Sequence, residues 1–228
     1  VNYQQRAAEV RALYYPAYNF AKLSLDVALK KYRGRKKPAV VVDIDETVLD
    51  NSPYQGRMIL KNYGHNSAEW KRWCLMKKAK PCPGALSFLK YAVSKGVDVF
   101  YISNRKNNSL SATIENLKKF KFPQVMEERI YLRTEGRSKK KRRAIVTKTH
   151  EILLLCGDNL SDFSEMFEDL STSQRNNLVD LFKRDFGRKF IMLPNPMYGD
   201  WEGSLYHNNY KINSSKKIKI QRSNLFTY

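Results

Sequence analysis

Cysteine is scarce: Cys74, Cys82 and Cys156 are the only three in 228 residues, and none lies in a CxxC or Cys/His spacing. That excludes a zinc-ribbon scaffold or a disulfide framework as the basis of the fold. Cys156 ends an apolar run and reads as a small buried hydrophobe, which leaves Cys74 and Cys82 as the pair that could bridge in an oxidising space. No apolar run approaches the roughly 18 residues of a membrane span. Neither a GxGxxG nor a GxxxxGK[ST] loop occurs, so the dinucleotide and P-loop modes of phosphate binding are absent, and no internal repeat is evident. Acidic residues number 22 against 42 basic ones, a net charge of +20 that favours anionic partners without choosing among nucleotides, phosphate esters, nucleic acid and acidic membranes.

What is present is a globular composition. Hydrophobic residues make up 42% and aromatics 12%, enough apolar surface to offset chain ordering over most of the length. Apolar residues at helical spacing predict a helix over 3–30, kinked or divided at Pro16. A basic linker follows, and then the strand 39–42, a β-branched run of the kind buried in parallel sheets. Residues 51–83 are irregular and aromatic and read as an inserted, mostly helical cap without a clear strand.

A helix opening at Pro83 and stopped at Gly96 leads into a strand at 97–103 and a helix at 110–120. A short strand at 129–132, a helix at 139–148, a strand at 151–158, one Phe/Leu-rich helix at 163–186 and a strand at 189–193 complete the pattern. A Pro/Gly loop covers 194–203, and the polar tail 204–228 is expected to be loosely ordered. Strands alternating with helices predict an α/β fold, a Rossmann-like parallel sheet flanked by helices with a small, mostly helical cap. The expected division is a helical segment and basic linker at 1–37 packing with the cap, a core formed by 38–50 and 84–203, the cap at 51–83, and the tail.

The strand ends carry the chemistry. In open α/β sheets ligands gather beyond the carboxyl ends of the strands, and these ends present, in order, Asp43 with Asp45, Ser103, a lysine of the basic run 137–143, and Asp158 with Asp162. Each meets a need of phosphoryl transfer. A carboxylate attacks phosphorus but repels the phosphate, so a cation must stand between them. Asp43 and Asp158, on neighbouring strands, supply hard oxygen ligands for Mg²⁺. Ser103 and a lysine neutralise the transferring group, and Asp45 lies far enough along the turn to serve as general acid and then general base.

The stretch Asp43-Ile44-Asp45-Glu46-Thr47 matches the DxDxT signature of the haloacid dehalogenase superfamily. Extended through Val48-Leu49-Asp50-Asn51-Ser52-Pro53-Tyr54, it resembles the bacterial class C nonspecific acid phosphatases of the lipoprotein e type. The resemblance spans about residues 12–203 and includes Phe100-Tyr101-Ile102-Ser103-Asn104-Arg105-Lys106, Gly157-Asp158-Asn159-Leu160-Ser161-Asp162-Phe163 and the segment Phe190 to Gly203.

It implies Asp43 as nucleophile and Asp45 as acid/base. The metal is expected on the Asp43 carboxylate, the Asp45 backbone carbonyl and Asp158, with Asp162 in or near the shell. Ser103 stands where the family more often has Thr. Lys139 is favoured as the phosphate-neutralising lysine because that alignment also places Arg142 on a family arginine, with Lys140 the alternative. Trp70, Tyr101 and Tyr198 match the family's aromatic clamp for the leaving group, often the base of a 5′-nucleotide, with Asn104 a further substrate contact.

The implied activity is Mg²⁺-dependent hydrolysis of small phosphomonoesters, nucleotides among them, through an aspartyl-phosphate on Asp43. Phosphotransfer to an alcohol or nucleoside acceptor is the alternative enzyme reading, and a basic nucleic-acid binder the alternative from another class. Asp43, Asp45 and Asp158 together argue against the latter, so no specific nucleic-acid partner is expected. By resemblance the enzyme belongs to the bacterial cell envelope, outer-membrane-anchored or periplasmic, or is secreted. Homodimers are frequent in the family. Membrane contact is expected only through a lipid anchor outside these residues.

Overall fold

Val40, Val41 and Val42 lie almost wholly out of solvent, as a strand buried on both faces must. They belong to β1 (Lys37–Val42), the central strand in a computed structural model that describes residues 1–228, the side chain of Ser214 excepted. In chain order the other elements are α1 (Asn2–Arg6), α2 (Ala8–Lys31), β2 (Leu49–Asp50), α3 (Ser52–Leu60), α4 (Ser67–Met76), β3 (Lys80–Pro81), α5 (Ala85–Ser94), β4 (Asp98–Lys106) and α6 (Leu110–Lys119). Then come β5 (Ile130–Arg133), α7 (Lys140–Thr149), β6 (His150–Gly157), α8 (Thr172–Leu181), β7 (Phe190–Met192), α9 (Asp200–Leu205) and α10 (Ser214–Ser223).

The main sheet is parallel, in the order β5-β4-β1-β6-β7. The chain moves outward from β1 through β4 to β5 and then returns to the other side of β1 for β6. This creates a topological switch point between β1 and β6, where a crevice opens at the carboxyl ends. Val42 is level with Tyr101 on β4 and with Cys156 on β6, so the residues just beyond these three strands emerge at one height.

Alternation along the strands sorts the core into two faces. Val40, Val42, Val99, Tyr101, Leu154 and Cys156 pack toward α2, α5 and α6, whereas Ala39, Val41, Phe100, Ile102 and Leu155 pack toward Val146 of α7 and a cluster of phenylalanines. The inner stripe of α2, from Val10 through Tyr14, Tyr18 and Ala21 to Leu25, joins the first face. The Tyr18 hydroxyl donates to the Thr47 carbonyl at 2.7 Å, tying α2 to the turn after β1. It is α1 that lies beside the cap, with Gln5 against Gly56 of α3.

Four expectations are corrected. Helix α2 runs unbroken through Pro16, because both Pro16 and Ala12, whose carbonyl loses its i+4 donor there, are exposed to water; the break falls at Ala7, which is extended. The segment 163–186 is not one helix. Ser164 and Ser171 cap new turns, Asp169 has a φ of 53°, and only α8 is a regular helix. Phe163, Phe182, Phe186 and Phe190 instead form an aromatic cluster beneath β7. Residues 51–83 hold α3 and α4 but also β3, which pairs antiparallel with β2 at the cap's base. The tail is not shapeless either: it forms α10, whose N-cap Asn213 accepts from the Lys216 N–H at 2.8 Å. Cys74, Cys82 and Cys156 are all buried free thiols.

If α2 is integral to the core, Leu25→Ala should lower unfolding free energy by about 2–5 kcal/mol, measured by urea denaturation. A loss below about 1 kcal/mol would show α2 to be dispensable.

Candidate active site

Three buried carboxylates meet at the switch point. Asp43 follows β1, its N–H donating to the Cys156 carbonyl at 2.9 Å; Asp158 follows β6; Asp162 closes the next turn. One oxygen from each lies within 4.8 Å of the others. The Lys139 ammonium, at the N-terminal end of α7, bonds to both Asp43 and Asp162, the latter at 2.5 Å. Burial drives the Asp43 carboxyl up to about 7 despite Lys139, and Asp162 and Asp45 push the same way. Asp158 is raised well above the carboxylate range by burial and by Asp162 and Asp43. Burial pulls the Lys139 ammonium down, but Asp162 and Asp43 outweigh it and hold the group well above the usual lysine range.

The charge count explains these directions. Three carboxylates and one ammonium leave two negative charges uncompensated in a water-poor hollow, and buried charges without partners are strongly disfavoured. A divalent cation restores the balance, and a set of carboxylate oxygens is the donor chemistry that Mg²⁺ or a similar hard cation takes. The residues present therefore fit a divalent metal. Space for the arrangement comes from Gly157, where a Cβ would collide with the Asp162 side chain.

Asp45 stands apart from this cluster in a polar clasp. Its Oδ1 accepts from Arg105 Nε at 2.9 Å, Arg105 Nη2 at 2.8 Å and Asn51 Nδ2 at 2.9 Å, while Oδ2 accepts from the Ser103 hydroxyl at 3.0 Å. The turn that sets Asp45 two residues beyond Asp43 is closed by Glu46, which has a φ of 56° and donates its N–H to the Leu49 carbonyl at 2.8 Å. The Glu46 carboxyl is buried and raised well above its ordinary range by that burial and by Asp45 and Asp158. It accepts from the Asn51 N–H at 2.7 Å and from the Tyr198 hydroxyl.

Of the two candidate lysines, the structure brings Lys139 to the carboxylates. Lys140 points outward, its side chain 68% exposed and paired with Glu165 at 3.0 Å. Arg142 holds the segment in register, donating to the Ser103 carbonyl at 2.5 Å and to Asn104 Oδ1 at 2.7 Å. Arg143 does the same toward the Asp162 carbonyl at 3.0 Å.

The expected substrate contacts fare unevenly. Trp70, half-buried on α4, packs edge-on to Tyr54 and lies over the Arg105 guanidinium at 5.7 Å. Tyr198 reaches the turn after β1 through Glu46, and Asn104 faces Arg142. Tyr101 is corrected. It sits two residues before Ser103 on the same face of β4, fully buried in the core, and its hydroxyl donates to the Pro123 carbonyl at 2.8 Å, so it cannot clamp a leaving group.

Arg105, Asn51 and Asn195 join the site beyond the residues the sequence predicts. Arg105 had a signal, since period-2 alternation puts it on the face of Ser103. Asn195, which donates to Asp158 Oδ2 at 2.7 Å, lies in a loop whose path no local pattern specifies.

A parallel sheet that collects carboxylates, a hydroxyl and a lysine at one switch point is the layout of haloacid-dehalogenase-type hydrolases. The family model of the HAD superfamily, subfamily IIIB (acid phosphatase), matches residues 1–201. The chain is also 49% identical to the class C acid phosphatase from Bacillus anthracis, over 99% of this chain and 94% of that one, with a TM-score of 0.95. A Bacillus anthracis class C acid phosphatase structure with tungstate bound gives 47% identity, coverage of 100% and 95%, and a TM-score of 0.94. The chain belongs to subfamily IIIB of the HAD superfamily, and it is an acid phosphatase, a hydrolase of phosphomonoesters.

Gly157→Ala, which drives a methyl group into Asp162, should cut phosphatase activity about 10²-fold, the cost of an ångström-scale misplacement, while circular dichroism stays unchanged. Wild-type turnover would show that Asp162 need not hold this position.

Proposed function

We propose that the protein is a Mg²⁺-dependent acid phosphatase that hydrolyses nucleoside 5′-monophosphates among other phosphomonoesters, through a phosphoryl group carried transiently on Asp43. The observation that carries this reading is the pairing of Lys139 with Asp43 and Asp162 beside Asp158, next to an Asp45 held on Ser103. A relative binds tungstate, a tetrahedral oxyanion like phosphate, which supports oxyanion binding by this chain.

Asp43, Asp158, Asp162 and the backbone carbonyl of Asp45 would hold the metal. When bound it supplies a positive charge that offsets repulsion between the Asp43 carboxylate and the phosphate. The Asp43 carboxylate attacks phosphorus and the bond to the leaving oxygen breaks. That oxygen takes its proton from Asp45, so the alcohol leaves neutral. Asp45, now ionised, accepts a proton from the water that attacks phosphorus, which releases inorganic phosphate and returns Asp43. Lys139 and the Ser103 hydroxyl stabilise charge on the transferring oxygens, the contribution that dominates such catalysis.

Trp70 offers a flat face to a base or another apolar leaving group, and such faces discriminate little between bases. Breadth of substrate follows, because the phosphate is gripped by charge and the remainder by surface. We place the enzyme in the bacterial cell envelope as a homodimer. Among the described residues no helix is long and apolar enough to cross a membrane; the attachment we propose is a lipid anchor. The exposed row Leu13, Phe20, Leu23 and Val27 along α2 supports self-association.

In a phosphate-release assay on nucleoside 5′-monophosphates, Asp43→Asn and chelation by EDTA should each abolish turnover, with Mg²⁺ restoring the chelated enzyme. Lys139→Ala should lose about 10²–10³-fold in kcat, whereas Lys140→Ala, which removes only an exposed ion pair, should stay within about twofold. Full activity of Asp43→Asn contradicts the mechanism, and the reverse order of the two lysines reassigns the cation.

A further inference from the structure

Arg105 is one of the largest side chains fully buried in the protein, 2% exposed, in a position that neither the proposed mechanism nor the core requires to be charged. A buried guanidinium persists only if its donors are satisfied. Here the satisfaction converges on Asp45. Nε and Nη2 both reach Oδ1, Nη2 also reaches Asn51 Oδ1 at 3.3 Å, and Nη1 reaches the Thr113 hydroxyl at 3.2 Å. With Asn51 Nδ2 added, Oδ1 of Asp45 accepts three donors, whereas Oδ2 meets only the Ser103 hydroxyl.

We infer that Arg105 is a positioning residue that fixes Asp45 by Oδ1 and thereby assigns the proton-carrying role to Oδ2. This rests on the reading of Asp45 as general acid and base. The asymmetry follows from capacity: three donors occupy the lone pairs of Oδ1, so an added proton goes to the other oxygen. Oδ2 becomes free when the Ser103 hydroxyl turns to donate to a phosphoryl oxygen, so substrate arrival itself uncovers it.

The same guanidinium ties the acid to the cap. Asn51 Oδ1 also accepts from the Trp73 indole at 2.8 Å, and Trp70 lies over the Arg105 guanidinium. Both tryptophans are on α4, so the helix that faces the leaving group and the carboxyl that protonates it share one hydrogen-bonded anchor.

A leaving-group comparison tests this. Departure of p-nitrophenolate needs little protonation, whereas an alkyl phosphate such as glycerol phosphate cannot release its alcohol without an acid. The readout is the ratio of kcat/KM for the nitrophenyl ester to that for the alkyl ester, since kcat/KM covers the steps up to leaving-group departure. Asp45→Asn should raise this ratio about 10²–10⁴-fold, the usual worth of a general acid. Arg105→Lys, which keeps the charge but loses the fork, should raise it about 10-fold or more.

Thr113→Val, which removes one anchor of Arg105 and no charge, should move the ratio in the same direction by less, and it decides the matter if the lysine variant fails to fold. Equal losses on both esters in Arg105→Lys, or an unmoved ratio in a folded Thr113→Val when the lysine variant does not fold, would overturn the inference and leave Arg105 a packing residue. An unmoved ratio in Asp45→Asn would instead overturn the assignment of the acid.

Discussion

Burying three carboxylates around a single ammonium is the constraint on which the rest of this site depends. Lys139 cannot neutralise Asp43, Asp158 and Asp162 together, and the upward displacement of Asp43 and Asp158 records what is left over. A protein does not hold such an arrangement for stability, because a well-packed apolar cluster would cost less. It does so where further charge will arrive: a divalent cation on one side and a phosphate dianion on the other. The sheet supplies the means. Parallel strands in register deliver Asp43, Ser103 and Asp158 at one height, and the reversal of strand order beside β1 opens the crevice that receives the ligand.

Much of the surrounding polarity serves to keep this balance in place. Arg142 fastens the start of α7 to the end of β4 through the Ser103 carbonyl and Asn104, so the lysine and the hydroxyl are held as one unit. Arg143 fastens the same helix to the turn that carries Asp162. The dense basic run 137–143 therefore does more than carry solvated charge: Lys139, Arg142 and Arg143 turn inward while Lys140 and Lys141 pair with surface carboxylates. On the other side of the crevice Arg105 and Asn51 hold the Asp45 carboxylate away from the three clustered carboxylates, which would let proton handling proceed apart from attack.

The sheet and the gathering of Asp43, Asp158 and Asp162 were legible because strand ends carry local signals. Short apolar runs mark the strands, three of them ending in Asp or Ser, and all five main strands lie within about three residues of where those runs predict. Choosing between Lys139 and Lys140 was not a local matter: the family resemblance favours Lys139, and the fold turns Lys139 inward as the N-cap of α7 while Lys140 faces Glu165. Tyr101 was misplaced for a related reason: a motif position says which residue is aromatic but not that its ring lies beneath the sheet surface. The phenylalanines of 163–186 share a helical period, yet tertiary packing against Phe190 and the caps at Ser164 and Ser171 outweighed it. Alternation puts Arg105 on the face of Ser103, but in a chain of net charge +20 one more basic residue carries little information until its burial is seen.

The central claim is that Asp43, and not water or a neighbouring carboxylate, takes the phosphoryl group. It is tested most directly by quenching the enzyme during turnover, reducing it with borohydride and sequencing the peptides by mass spectrometry. An acyl phosphate is reduced to the alcohol, so the account predicts homoserine at position 43 in turnover samples and unmodified aspartate at 43 when substrate is withheld. Modification at Asp45, Asp158 or Asp162 instead, or none at any aspartate in enzyme trapped while actively releasing phosphate, would contradict it.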